Sequence, residues 1–114
     1  MSKILSLNRA RYLLLKKYRK YLEPIKRAYL ELLPDARLFL FGSALSGDLV
    51  AASDIDILIL TNKEFKNHME HAVVVIGIED RIGLPFVHPF EFHIMTRTKY
   101  QRFISTTGAQ LEEF

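Results

Sequence analysis

The chain has 114 residues, about half of them apolar, and a formal net charge of +3. A chain of this size supports one small domain with one core, so we expect a single domain over residues 1–114. There is no cysteine, which excludes disulfides and thiolate metal sites. The sequence has neither a run of eighteen apolar residues nor a signal-peptide pattern. We therefore expect no membrane span and a cytoplasmic location.

The charge is distributed unevenly along the chain. Residues 1–33 carry nine Lys or Arg side chains against two Glu, whereas the remainder carries seven basic against eleven acidic side chains. A basic arm joined to an acidic body suits an enzyme that acts on anionic substrates. The alternative is that these basic side chains form the solvated face of a helix.

Residues 6–33 are predicted to be helical. Apolar residues recur there every three or four positions, which is the period of an amphipathic helix: Leu13, Leu14, Tyr18, Leu22, Ile25, Tyr29 and Leu32. Pro24 lies inside this run and predicts a kink, or two helices that meet near Glu23. The apolar stripe favours packing on the core, with dimerisation or substrate contact as alternatives.

Residues 36–41 form the first predicted strand, in which Leu and Phe alternate between two faces. Gly42 then lets the backbone turn sharply and approach a ligand. Residues 44–48 are predicted to form a short helical turn or loop. The backbone N–H groups of Gly42 and Ser43, together with the Ser43 hydroxyl, are donors of the kind that bind phosphate.

The second strand begins with two carboxylates, Asp54 and Asp56, followed by a run rich in Ile and Leu. Positions two apart on a strand point to the same face. Two such charges repel each other and destabilise the fold unless a cation neutralises them. Mg²⁺ prefers oxygen ligands and usually binds together with substrate phosphates. The pattern therefore indicates phosphate binding at Gly42 and Ser43 and metal binding at the two aspartates.

Residues 63–82 are predicted to form a second helix, capped by Thr61 and Asn62. The block of residues 73–78, Val-Val-Val-Ile-Gly-Ile, has the propensity of a strand, so an edge strand is the alternative. A crossover between parallel strands, and Gly83 just past the helix end, both favour the helix. If its apolar side is exposed, it is a candidate dimer face.

Residues 91–96 form the third predicted strand, and residues 98–114 a C-terminal helix. A charged Glu91 between apolar neighbours is costly to bury unless it is paired. His93 lies on the same face, where it either orients Glu91, contacts a nucleotide, or is a hydrogen-bonded structural histidine. His68, His71 and His88 are assigned no metal.

The spacing Gly42-Ser43, ten residues, then Asp54-Ile55-Asp56 resembles the nucleotidyltransferase superfamily that includes DNA polymerase beta. It is most similar to the minimal, single-domain nucleotidyltransferases of prokaryotes. The resemblance implies an α/β (α+β) fold with a small mixed sheet and helices packed on it. On this basis the catalytic core spans residues 34–96, preceded by an N-terminal helical segment, 1–33, and followed by a C-terminal helix, 97–114.

The resemblance also implies a chemistry and residue roles. Asp54 and Asp56 would hold two Mg²⁺ ions, and Glu91 would be the third catalytic and metal-binding carboxylate, the alternative being a half-exposed strand glutamate. Gly42 and Ser43 would bind the phosphates of ATP or another nucleoside triphosphate. The expected reaction is transfer of NMP, AMP from ATP, to a hydroxyl acceptor. Ser46 stands where many family members carry a basic residue, so one phosphate-neutralising charge is absent or supplied from elsewhere.

Partners follow from the same resemblance. Minimal nucleotidyltransferases often act as antitoxins with a small helical HEPN-type protein, so partner binding is the alternative function. A homodimer is a further expectation. RNA binding through the basic N-terminal helix is a third and less favoured reading.

Overall fold

The computed structural model describes residues 3–114, with side chains from residue 6 onward. The helices are α1 (Lys3–Lys16), α2 (Arg19–Leu32), α3 (Ser43–Ser46), α4 (His68–Ile82) and α5 (Arg97–Thr107). The strands are β1 (Arg37–Phe41), β2 (Ile55–Leu60), β3 (Phe90–Met95) and β4 (Glu112–Glu113). The predicted α+β class is confirmed. Among the described helices, none is both long enough and apolar enough to cross a membrane.

The four strands form one mixed sheet in the order β3-β2-β1-β4. Strand β1 is antiparallel to both β2 and β4, whereas β2 and β3 are parallel. Helix α4 is the crossover between the two parallel strands, as a parallel pair requires. The prediction that residues 73–78 are helical is therefore confirmed. The helix ends at Gly83, which adopts the left-handed conformation.

The side chains of β1 point alternately to the two faces of the sheet, and so they pack into two separate cores. Leu38 and Leu40 lie in the larger one, with apolar residues of α1, α2 and α4. Phe39 lies in the smaller one on the opposite face, where Tyr100 and Phe103 of α5 pack against it. Both faces of the sheet are therefore covered, and the sequence pattern of β1 correctly predicted which side chains face each way.

The N-terminal segment is two helices, but they do not meet near Glu23 as predicted. The break lies at Lys17 and Tyr18, and Pro24 sits inside α2. A proline removes the amide that would bond to the carbonyl four residues earlier and crowds that carbonyl. For Pro24 that residue is Lys20, which lies within α2, so the helix accommodates the missing hydrogen bond and the proline does not account for the break at Lys17 and Tyr18. Amide bonds to the third preceding residue bridge the break, from Lys20 to Lys17 and from Tyr21 to Tyr18, each 3.0 Å.

Helix α4 begins at His68, five residues later than predicted, and the prediction that Thr61 and Asn62 cap it is wrong. The cap is Asn67, whose side-chain oxygen accepts a hydrogen bond of 3.0 Å from the amide of Glu70. Thr61 and Asn62 instead contact Asp35, whose carboxylate accepts hydrogen bonds of 2.7 Å from the Thr61 hydroxyl and from the backbone amide of Asn62. The Thr61 hydroxyl also accepts a hydrogen bond of 3.2 Å from the amide of Lys63, which precedes the helix.

The C-terminal helix also ends earlier than predicted. It stops at Thr107, Gly108 turns the chain back in the left-handed conformation, and Glu112–Glu113 adds β4 to the sheet edge. Arg37 of β1 forms two hydrogen bonds with Glu113, of 2.9 and 2.7 Å, and the amide of Phe114 donates to Leu38 over 3.0 Å. These contacts with β1 replace the last helical turns, and they are too distant in sequence to appear in a local pattern.

The Asp35 carboxylate links the start of β1 to the end of β2, and its removal should destabilise the fold. Thr61 is buried, and Asp35→Ala leaves the Thr61 hydroxyl without an acceptor, which costs about 1–2 kcal/mol of stability.

The effect of this substitution should depend on pH, because the hydrogen bonds from Asn62 and Thr61 lower the pKa of Asp35 below its ordinary value. A lowered folded-state pKa gives stability that is complete above the unfolded pKa and is lost as the pH falls through the folded pKa. In urea titrations, the difference between the two proteins should therefore be full at pH 6 and shrink below about pH 4. An equal difference at pH 6 and pH 3 would contradict this.

Candidate active site

The turn after β1 depends on a glycine. Gly42 has φ of 74° and ψ of −146°, a conformation that side-chain-bearing residues rarely adopt. A Cβ atom there would lie 2.6 Å from Oδ2 of Asp56, so the backbone of the turn runs directly against that carboxylate. The predicted sharp turn at Gly42 is confirmed, and the turn packs closely against Asp56. Ser43 opens the short helix α3 immediately after it.

Three candidate ligands come together on the neighbouring strands. The parallel register of β2 and β3 places Asp56 beside Glu91 and Leu58 beside His93, all on one face of the sheet. His93 Nε2 lies 3.2 Å from Oδ1 of Asp56 and 3.8 Å from Oε1 of Glu91. One ligand atom from each residue lies within 4.8 Å of the others. The site remains open, because the side chains of Asp56, Glu91 and His93 are 23%, 54% and 30% exposed.

The chemistry of this cluster fits a divalent cation. Two carboxylates face each other, and among the described residues the only ion-pair partner of either is His93. Carboxylate oxygens are the ligands of Mg²⁺ and Mn²⁺, and an imidazole nitrogen extends the set to transition metals. A cation would relieve the repulsion between Asp56 and Glu91.

Asp54 occupies a different position from Asp56. It precedes β2, which begins at Ile55, and it lies outside the group formed by Asp56, Glu91 and His93. Its Oδ1 accepts a hydrogen bond of 2.8 Å from Nη2 of Arg11, and its side chain is 54% exposed. The structure thus brings together two of the three predicted carboxylates and pairs the third with a cation from α1.

Comparison with known proteins identifies the family. A family model described as "Nucleotidyltransferase domain" matches residues 15–107. This chain belongs to the nucleotidyltransferase domain family. It is a transferase of the nucleotidyl class, and the resemblance inferred from residues 42–56 is confirmed. None of the curated proteins matches its sequence.

Two solved structures share this nucleotidyltransferase fold. One is the crystal structure of a candidate nucleotidyltransferase, 25% identical, with a TM-score of 0.63, in a match that covers 82% of this chain and 97% of the other. The second is a candidate nucleotidyltransferase from Sulfolobus solfataricus. It is 19% identical, with a TM-score of 0.53, and the match covers 93% of this chain and 85% of the other. At this identity, the similarity to the second structure shows a shared fold and nothing more.

Arg11 is the site residue that sequence reasoning did not identify. It lies on α1, before the start of the nucleotidyltransferase match at residue 15, and 43 positions from Asp54. No motif marks it within the basic arm, whose excess positive charge was the only signal. His93 was recognised as lying on the face of Glu91, but its shorter contact is with Asp56.

Aromatic rings pack beside the cluster of Asp56, Glu91 and His93. The ring of Phe41 meets His93 edge-on at 5.1 Å between centroids and Phe103 at 5.4 Å. These contacts fix the imidazole plane, because aromatic pairs favour such tilted geometry. The imidazole of His93 is therefore held next to the carboxylates by packing as well as by hydrogen bonding.

Neither of two surface cavities includes the carboxylates of the site. A cavity of about 330 Å³ separates α1 from residues 49–51, beside the carbonyl that Arg11 contacts. A larger one, of about 630 Å³, lies between the β2–α4 loop and the start of α5, with Lys63, Lys66 and Lys99 in its wall. The carboxylate cluster itself is an open surface site, suited to a substrate that arrives from solution.

Proposed function

We propose that this protein is a metal-dependent nucleotidyltransferase that transfers NMP, specifically AMP from ATP, to a hydroxyl group of a protein or small molecule. The observation that supports this most directly is the register of β2 and β3, which puts Asp56 beside Glu91 on the same face as the Gly42 turn. Phosphoryl-type transfer depends mainly on position and electrostatics, and this arrangement supplies both.

Asp56 and Glu91, with Asp54 once it is freed from Arg11, are the proposed ligands of two Mg²⁺ ions. Bound there, the cations would neutralise triphosphate charge and polarise the α-phosphate. The amides and hydroxyl at Gly42 and Ser43 bind the β- and γ-phosphates. The absent Cβ of Gly42 leaves room for the Asp56 carboxylate against the turn, so the proposed phosphate and metal sites adjoin each other.

The carboxylates also handle the proton of the acceptor. In the proposed reaction the acceptor oxygen bonds to the α-phosphorus, the bond from that phosphorus to the bridging oxygen breaks, and pyrophosphate leaves. The acceptor proton passes to a carboxylate oxygen of Glu91 or Asp56, directly or through water. His93 orients Asp56 through its hydrogen bond of 3.2 Å.

The test is incubation of the purified chain with each of the four NTPs labelled at the α-phosphate, Mg²⁺, and candidate acceptors that include the chain itself. We expect label transfer that is strongest with ATP and abolished by EDTA. Glu91→Gln should lose transfer while binding ATP nearly as well, because the metal ion that Glu91 would bind activates the acceptor and not the triphosphate. A chain that neither binds Mg²⁺–ATP nor transfers label would overturn the proposal.

A second candidate role is binding of a small α-helical partner protein, of the HEPN type, to the outer side of α4. Three apolar side chains of one stripe, Met69, Val73 and Ile76, are 71%, 60% and 56% exposed. A helix of the partner can approach closely at Gly77, where an added Cβ would meet nothing within 4 Å.

Val73→Glu tests this role, and it should abolish co-purification with a helical protein encoded beside this chain. If light scattering instead shows a dimer of the chain alone that Val73→Glu dissociates, the stripe is a homodimer face.

A further inference from the structure

Arg11 fastens α1 to the segment that carries Asp54. Its Nη1 donates to the carbonyl of Ala51 over 3.0 Å, and its Nη2 donates to the carbonyl of Ser53 over 2.6 Å and to Asp54 over 2.8 Å. The side chain is only 16% exposed. We propose that Arg11 is a phosphate-binding residue of the nucleotide site, which exchanges Asp54 for a phosphate oxygen when the substrate binds.

The first support is the charge of the phosphate-binding segment. Residues 42–47, which form the turn and α3, contain no Lys, Arg or His. A triphosphate bound by backbone amides alone lacks a cationic side chain. The Arg11 guanidinium contacts Asp54, the first residue of the Asp54-Ile55-Asp56 motif. Guanidinium groups bind phosphate through paired N–H donors.

The second support is the way the guanidinium is anchored. Two of its three hydrogen bonds go to backbone carbonyls, so they do not depend on the Asp54 side chain. If Asp54 turns towards Asp56 to bind a cation, the guanidinium stays in place and loses its one anionic partner. A largely buried guanidinium needs a new acceptor. A phosphate oxygen brought by the same cation would supply it.

This inference rests on the proposed function, and it differs from a purely structural role for Arg11. If Arg11 serves only to hold α1, its removal should lower stability and affect all ligands equally. If it binds the β- or γ-phosphate, its removal should selectively weaken the binding of triphosphates, because AMP lacks these groups. It should also leave Mn²⁺ binding intact or stronger, because Asp54 is released.

The experiment compares the unmodified full chain with Arg11→Ala, Arg11→Lys and Arg9→Ala. Arg9 is exposed on the same helix and serves as the matched control. Isothermal titration measures the affinity for α,β-methylene-ATP with Mg²⁺, for AMP with Mg²⁺, and for Mn²⁺ alone. Arg11→Ala should bind the triphosphate analogue about 10- to 100-fold more weakly and change AMP affinity less than about 3-fold. Arg11→Lys should fall between the two, since it keeps the charge without the paired donors.

The outcomes separate the two proposals. Equal affinity of Arg11→Ala and the unmodified chain for the analogue would overturn the role of Arg11 and leave the proposed function standing. A uniform loss of analogue, AMP and Mn²⁺ binding, with a lower melting temperature, would show a structural role and overturn it as well. If the unmodified chain binds no analogue, the proposed function fails and this inference fails with it.

Discussion

Asp56→Asn is expected to abolish nucleotidyl transfer while the fold survives. Asp56 lies at the centre of the site, hydrogen-bonded to His93, in register with Glu91 and in contact with the Gly42 turn. Asparagine keeps the size of the side chain but removes the charge that binds cations. A metal ion supplies several kcal/mol of transition-state stabilisation, so the rate of transfer should fall by about 10³-fold.

Two further measurements make this prediction specific. Thermal scans with and without Mn²⁺ should show stabilisation of the unmodified chain, as expected for a ligand that binds only the folded state, and little for Asp56→Asn. Asp80→Asn, a change of the same kind on the exposed side of α4, should leave both the Mn²⁺ effect and transfer unchanged. Normal turnover by Asp56→Asn would show that the reaction does not depend on this cluster.

The central part of the fold could be predicted from the sequence because its signals are local. The alternation of Leu and Phe in β1 follows from the period of a strand, and Gly42 marks the turn that follows. The helical reading of residues 73–78 went against their strand propensity. It was correct because a parallel pair of strands requires a crossover, and tertiary context overrides propensity.

The ends of the elements could not be predicted because distant contacts determine them. Strand β4 forms by backbone pairing with β1, and the side chain of Glu113 adds hydrogen bonds to Arg37, 76 positions away. Helix α4 starts late, after the cap Asn67, and the residues expected to cap it contact Asp35 instead. In each case the contact is with a residue far away in the sequence, which a local pattern does not reveal.

The same reasoning applies to the site. The meeting of Asp56 and Glu91 follows from a shared face and parallel pairing, both of which leave traces in the sequence. The contact of Arg11 with Asp54 has no motif, and its one trace in the sequence is the excess positive charge of the basic arm. The excess charge of the basic arm is also partly neutralised within the fold, since Arg11, Arg19 and Arg27 pair with Asp54, Glu112 and Glu23. This use of the arm within the fold weakens the reading of the N-terminal segment as an RNA-binding surface.

Gly42→Ala is expected to disable the site by geometry alone. The added Cβ would have to occupy a position 2.6 Å from Oδ2 of Asp56, well inside van der Waals contact, so the carboxylate must move. The backbone conformation at Gly42 is itself nearly restricted to glycine, and an alanine there costs about 1–3 kcal/mol. Denaturant titration should show that loss of stability. Transfer and Mn²⁺ stabilisation should both fall to the level of Asp56→Asn.

Gly47→Ala is the control that distinguishes backbone strain from a steric clash of the added Cβ. Gly47 also has a positive φ, of 77°, but a Cβ there would meet nothing within 4 Å. Its alanine variant should therefore lose about 1 kcal/mol of stability through the left-handed backbone and keep metal binding and transfer. If the two variants lose transfer equally, backbone strain is the cause and the contact of Gly42 with Asp56 is incidental. If only Gly42→Ala loses it, glycine is required at this turn because the phosphate-binding backbone and the metal-binding carboxylate share the same space.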